Sequence, residues 1–218
     1  MSWENDIIKA LEEYIEQDKT ETPATAYDHK FFQNHLKYKP FYHFIADIIV
    51  GHFRPQSVID WGCGCGFLLE RLHEHGIADI HGVEGSKEAV PFWSERIKSK
   101  LAIDDILIHK VKVRKYDVAV CMEVGEHMED EYSDALVVQV AGSVERLIWW
   151  TAAQPGQGGT NHINCRPLSY WEKKFIEQTD FKPEWELTYQ MKQEMLKNQL
   201  LCIGYPWFRD NLIIFVRK

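Results

Sequence analysis

The sequence predicts an α/β fold, an open, doubly wound and mostly parallel sheet with helices on both faces. Two observations carry this. From Val58 onward, short apolar runs alternate with segments of helical period, the pattern of repeated βα units. The run Ser57-Val58-Ile59-Asp60-Trp61-Gly62-Cys63-Gly64-Cys65-Gly66, followed by Phe67 to Leu72, reads as strand, glycine turn, helix. Three glycines in five positions allow positive φ and let a ligand approach main-chain N–H groups. The helix behind them aims its positive end at that ligand.

In chain order, Trp3 to Gln17 carries Ile7, Ile8, Leu11, Tyr14 and Ile15 on one helical face, which predicts an amphipathic helix. Gln17 to Thr25, polar and interrupted by Pro23, reads as a connector. Tyr27 to Tyr38 and Phe41 to Phe53 give two further helical segments separated by Pro40. Residues 1–54 are thus expected to form a helical cap, and 55–218 the main domain. Within the latter, strands are expected near 57–60, 79–84, Asp104, 117–122 and 146–152, with helices from 66, over 86–99 and over 129–142. The tail predicts a helix over Ser169 to Gln178, a strand near 183–188, a polar helix around Lys192 to Leu200 and a last strand from Asn211 to Val216.

Composition narrows the function. The 218 residues, 45% hydrophobic and 27% charged, suit one soluble globular domain with a full core. No apolar run reaches membrane-spanning length; Phe44 to Val50 is short and carries Asp47. The acidic, helical N-terminus lacks the pattern of a leader peptide, so a cytoplasmic location is expected. A net charge of −8 argues against a broad grip on nucleic acid and favours a small-molecule partner. The basic run from Lys110 to Lys115 reads as a solvated turn. Cys63, Cys65, Cys121, Cys165 and Cys202 show no zinc spacing and read as reduced thiols, with Cys63 and Cys65 placed to touch a ligand at the turn.

The ligand at the turn follows from spacing and charge. A dinucleotide site uses G-x-G-x-x-G, and the third glycine position after Gly62 and Gly64 holds Phe67. Asp60 would repel a pyrophosphate but welcome an amino-acid ammonium. Glu84 lies twenty residues after Gly64, where a parallel α/β unit places the acid that takes two ribose hydroxyls. The set Asp60, Gly62, Cys63, Gly64, Gly66 and, downstream, Glu84 resembles the first two motifs of the class I S-adenosylmethionine-dependent methyltransferases. That resemblance implies a seven-stranded, Rossmann-like sheet with a late antiparallel insertion. It also implies S-adenosylmethionine as cofactor, with Asp105 (or Asp104) beside the adenine and Met122 at the end of the fourth strand against the ligand. A nicotinamide oxidoreductase and a non-catalytic cofactor-binding subunit are the alternatives.

Cys121-Met122-Glu123-Val124-Gly125-Glu126-His127 closes that strand. If a helical turn begins at Glu123, then Glu126 and His127 share its face. The run resembles the divalent-metal segment of ubiquinone-pathway O-methyltransferases and small-RNA 2′-O-methyltransferases. In the latter a later histidine completes the site, a place His162 fills here within Pro155-Gly156-Gln157-Gly158-Gly159-Thr160-Asn161-His162. The resemblance therefore implies Glu123, Glu126, His127 and His162 as ligands of Mg²⁺, Mn²⁺, Fe²⁺ or Zn²⁺. His127 or His162 acting as a metal-free general base, or a structural role, is the competing reading. The same run, with Tyr170-Trp171 after it, resembles uncharacterised bacterial and phage methyltransferases. The expected acceptor is a hydroxyl of a small molecule, a phenol, sugar or nucleotide; nucleic acid is not the expected partner, an RNA end being the exception left open. Tyr27, Phe31 and His35, at i, i+4 and i+8, are expected to pack in the core, with lining of the cofactor entrance as the alternative.

Overall fold

The computed structural model describes residues 27–107, 115–198 and 204–218. The expected first helix and connector, most of the basic run and Cys202 lie outside the described residues. Seven strands form one sheet in the order β3-β2-β1-β4-β5-β7-β6, where β1 is Ser57–Trp61, β2 Asp79–Glu84, β3 Leu101–Ile103, β4 Tyr116–Met122, β5 Val144–Thr151, β6 Phe181–Pro183 and β7 Ile213–Arg217. The first five pair in parallel, while β7 runs antiparallel to both β5 and β6. The expected sheet, with its late antiparallel insertion, is therefore present.

Alternate residues of each central strand feed two apolar layers, as the two-residue period of a strand requires. Val58, Val118, Trp149 and Ile214 face one layer, completed by helices α2 (Lys39–Phe53), α3 (Phe67–Glu74) and α6 (Trp185–Leu196). Ile59, Ala119, Trp150 and Ile213 face the other, closed by α4 (Ser133–Gly142) and α5 (Leu168–Gln178). Both faces are thus covered, and β1 with β4 is fully enclosed. The strand order reverses between β1 and β4, the place where such sheets open a crevice at their carboxyl ends.

Local departures from the sequence reading have local causes. Pro40 does not separate two helices. It sits in the first turn of α2, where no backbone N–H is needed, and a 3₁₀ turn over Leu36–Tyr38 joins α2 to α1 (His29–His35). The helix expected over 86–99 is replaced by 3₁₀ turns at Lys87–Phe92 and Lys98–Lys100; Pro91 lies inside the first and cannot donate to an α-helical ladder. Helix α4 begins at Ser133 rather than 129, after a 3₁₀ turn at Asp130–Tyr132. The strand expected near 183–188 is mostly helix: β6 ends at Pro183, and Thr188, Met191 and Met195 of α6 are buried at helical spacing. A short helix, α7 (Pro206–Asp210), precedes β7.

Close packing at the β1–β2 junction makes a sharp test. A Cβ on Gly82 would lie 2.6 Å from Leu101, 2.7 Å from Leu69 and 2.9 Å from the Cys63 sulfur. Gly82→Ala is expected to lower unfolding stability by about 1–3 kcal/mol, the usual cost of overpacking, measured by urea denaturation; an unchanged midpoint would contradict this packing.

Candidate functional site

The carboxyl ends of β1, β2 and β4 open into a cavity of about 670 Å³, within the range of small-molecule sites. Its floor is the glycine turn. Gly62, Gly64 and Gly66 all have positive φ, at 74°, 51° and 73°. At Gly62 the need is also steric, because a Cβ would stand 2.5 Å from Val124. The amides of Gly62 and Cys63 donate to the Val83 carbonyl at 2.8 and 3.0 Å, which ties the turn to β2. Gly66 then caps α3 in the left-handed region.

Glu84 ends β2 and lines the cavity. One carboxylate oxygen accepts from the Gly64 amide at 2.8 Å and the other from the Ser86 amide at 2.9 Å. Burial raises its pKa, and those amides pull it back. Its anchored position leaves further lone pairs for a ligand, since a carboxylate offers about four. Asp104 and Asp105 line the adjoining wall after β3, with Ile103 and Ile106. Asp105 also accepts from the Leu107 amide at 2.9 Å. Met122 and Cys63 line the cavity as expected. Asp60 and Gly66 do not. Asp60 is 3% exposed, and burial, followed by the charge of Glu84, holds its pKa well above the carboxylate range. It sits behind the turn rather than on its surface. Four cysteines of the described residues are free thiols, three of them buried.

The segment after β4 departs from the helical geometry expected of it. Glu123 adopts a left-handed φ of 54° and begins no α-helical turn; Gly125–His127 is a 3₁₀ turn. The Glu123 carboxylate is cradled by amides instead, accepting from Gln157 Nε2 at 2.8 Å and Asn211 Nδ2 at 3.1 Å. Its own amide donates to the Thr151 carbonyl and hydroxyl at 2.9 and 3.1 Å. Glu126, His127 and His162 do converge: one ligand atom of each lies within 4.8 Å of the others. Glu123 is not in that group. The four-residue ligand set thus reduces to three, with Glu123 anchoring the loop that brings His162.

Glu126 is fully buried, and neither carboxylate oxygen has a hydrogen-bond partner among the described residues. Burial first, and the Glu123 charge second, hold its pKa well above the carboxylate range. The Glu126 carbonyl accepts from the amides of both Ile163 and Asn164 at 2.9 Å, so one residue fixes the loop and faces its histidine. His162 Nε2 stands 3.9 Å from a Glu126 oxygen. The His162 ring occupies the space a side chain at 159 would take: a Cβ there would lie 2.1 Å from Nε2. This is a physical reason for glycine at that point of the loop.

Both imidazoles are oriented through Nδ1, which lies 3.1 Å from the Asn161 carbonyl in His127 and 3.2 Å from the Gln157 carbonyl in His162. A carbonyl only accepts, so Nδ1 carries a proton in both rings. Burial lowers the His127 pKa to about 4, which keeps that ring neutral. Two imidazoles and one buried carboxylate match the composition of a divalent-cation site, with the Nδ1 contacts orienting the rings. The orphaned oxygens of Glu126 are the observation that makes the fit.

An aromatic wall closes the cavity from the cap. Tyr27, Phe31 and His35 line it, although their spacing favours core packing, with Phe32, Tyr38 and Tyr42 beside them and Trp207 and Phe208 from α7 opposite. Tyr42, Gln157, Trp207 and Phe208 were not among the residues singled out in the sequence. A helical spacing on α2 carried a signal for Tyr42 alone.

Residues 58–145 match the family model described as a methyltransferase domain. The ubiquinone biosynthesis O-methyltransferase of Neisseria meningitidis serogroup C (strain 053442) is 27% identical over 135 residues, 57% of this chain and 52% of that protein. The chain thus spans about half the length of the curated relatives it matches. Among solved structures, magnesium protoporphyrin IX methyltransferase (ChlM) from Synechocystis PCC 6803 with bound SAH aligns at TM-score 0.58 and 15% identity, covering 84% of each chain. The plantazolicin methyltransferase BpumL, in complex with an analogue and SAH, aligns at 0.56 and 17%, covering 99% of this chain and 91% of its own. At these identities the structures speak for the fold. Residues 58–145 are thus similar to a methyltransferase domain, and the chain shares the fold of these solved methyltransferases.

Proposed function

We propose that the protein transfers a methyl group from S-adenosylmethionine to a hydroxyl oxygen of a small molecule, assisted by a divalent cation at Glu126, His127 and His162. The observation that carries the reading is the Glu126 carboxylate, wholly buried and without a hydrogen bond among the described residues, facing two histidines whose rings are oriented through Nδ1. The name of the Neisseria relative, an O-methyltransferase, supports oxygen as the acceptor atom. A non-catalytic subunit would have no use for unpartnered groups beside a cofactor cavity, and the nicotinamide alternative gains no support from the family match.

The residues divide the work by position. Glu84, held by two backbone amides, accepts from the vicinal ribose hydroxyls. The glycine turn lets the ligand lie against the main chain, and Asp105 or Asp104 meets the adenine amino group. S-adenosylmethionine supplies an electrophilic methyl on a sulfonium, and a cation at the cluster supplies acidification of a bound hydroxyl. Glu126 and the two Nε2 atoms would hold that cation and, through it, the acceptor. The Asn161 and Gln157 carbonyls keep the rings aimed, while Glu123 holds Gln157 and thereby the loop. The aromatic wall excludes water and favours a planar acceptor.

A radiolabelled methyl-transfer screen over phenols, sugars and nucleotides tests this reading. Transfer to a hydroxyl is expected, falling by about 100-fold or more with chelator and returning with Mg²⁺ or Mn²⁺; Glu126→Gln should lose a similar factor. Full transfer in chelator would eliminate the cation.

The shifted carboxyl predicts a proton count as well. Because the pKa of Glu126 is raised, its carboxyl is protonated at a pH where an ordinary one is not, and a cation must displace that proton. Affinity for Mn²⁺ should therefore rise with pH until the raised pKa is passed. Titration calorimetry with Mn²⁺ over a pH series, in two buffers of different ionisation enthalpy, should show protons released on binding and fewer as pH rises. An affinity and a proton release that do not change with pH would contradict the raised pKa.

A further inference from the structure

The cavity contains acids for the cationic parts of a cofactor but no cation for its anionic part. Glu84, Asp104, Asp105 and Glu123 line it, with Asp60 behind the wall and Glu126 in the cluster, and no Lys or Arg is present among its described lining residues. S-adenosylmethionine carries a sulfonium and an ammonium, which such surroundings favour, and a carboxylate, which they repel. An anion in an acidic, partly buried cavity must be met by donors that carry no charge of their own.

The lining offers one side-chain donor that is buried and unspent. The Tyr27 hydroxyl has no hydrogen-bond partner among the described residues. It is held in place from both ends. The Ser86 hydroxyl donates to the Tyr27 carbonyl at 2.9 Å, fixing the residue beside the end of β2. Its ring stands edge-on to Phe31, with centroids 4.6 Å apart, and to His127 at 5.4 Å. A phenol is protonated at neutral pH, so toward an anion its hydroxyl acts as a donor. A buried hydroxyl left unpaired is costly, and a bound carboxylate would relieve that cost.

Resting on the reading that this cavity binds S-adenosylmethionine, we propose that Tyr27 is a cofactor-binding residue whose hydroxyl donates to the cofactor's amino-acid carboxylate in place of a cationic side chain. Calorimetric titration with two ligands, S-adenosylhomocysteine and its decarboxylated counterpart (the 3-aminopropyl thioether of adenosine), tests it on wild type, Tyr27→Phe and Tyr42→Phe. Tyr27→Phe keeps the ring and its contacts, and its ligand-free melting temperature should match wild type. It is expected to weaken S-adenosylhomocysteine by about tenfold or more, as loss of a hydrogen bond to a charged group does, and to leave the decarboxylated ligand within about twofold. Equal weakening of both ligands, no weakening of either, or a carboxylate-dependent loss only in Tyr42→Phe would overturn the assignment. Failure of wild type to bind S-adenosylhomocysteine at all would instead overturn the methyltransferase reading on which it rests.

Discussion

A fully buried carboxylate with no hydrogen bond among the described residues is the constraint around which this site is organised. Glu126 has no exposed surface and neither of its oxygens is hydrogen bonded within the described residues. An isolated buried charge costs several kcal/mol, and the group escapes by taking up a proton, at the expense of a poorly satisfied polar group. Such an arrangement persists where something outside the polypeptide completes it. Two imidazoles stand where a cation would need them. The loop from 154 to 164 exists in its observed course because Glu126 offers its carbonyl to Ile163 and Asn164, and because Gly159 yields its side-chain space to His162.

The rest of the fold supports that point from beneath. Strands β1 and β4 are enclosed by apolar layers on both faces, so their carboxyl ends are held rigidly. The Gly62–Gly66 turn is locked to the end of β2 by two backbone hydrogen bonds to the Val83 carbonyl and by the Gly64 amide donating to the Glu84 carboxylate. Glu123 links the end of β4 to the loop and to Asn211 ahead of β7. The antiparallel β7 therefore contributes to the site without lining the cavity. The left-handed backbone at Glu123 is the kind of strained conformation that persists where its surroundings hold it.

Much of this was legible in the sequence, and the failures are instructive. The glycine turn, the acid at Glu84 and the alternation of strands and helices depend on local chemistry and short spacing, and they appear where the sequence predicts. Glu123 was read as a ligand on the assumption of an α-helical turn, under which Glu123, Glu126 and His127 share a face. The chain uses a left-handed residue and a 3₁₀ turn there, and amides from residues 157 and 211 claim the Glu123 carboxylate. Such distant partners leave no periodic trace. The same holds for Trp207 and Phe208, which reach the cavity only through the fold. Residues 183–188 are too short a window to show the helical period that the burial of Thr188, Met191 and Met195 reveals. Asp60 lies behind the wall because it precedes the turn by two residues on a strand enclosed on both faces.

The central claim is that the orphaned carboxylate and the two histidines are kept for a cation. Crystals of the protein grown with S-adenosylhomocysteine and soaked in Mn²⁺ would locate that cation by anomalous scattering. The account predicts one strong peak bonded to a Glu126 oxygen and to Nε2 of both His127 and His162, with Glu123 still held by Gln157 and Asn211. A cluster without a peak, its Glu126 still unpartnered, or Mn²⁺ bound only at Asp104 and Asp105, would contradict it.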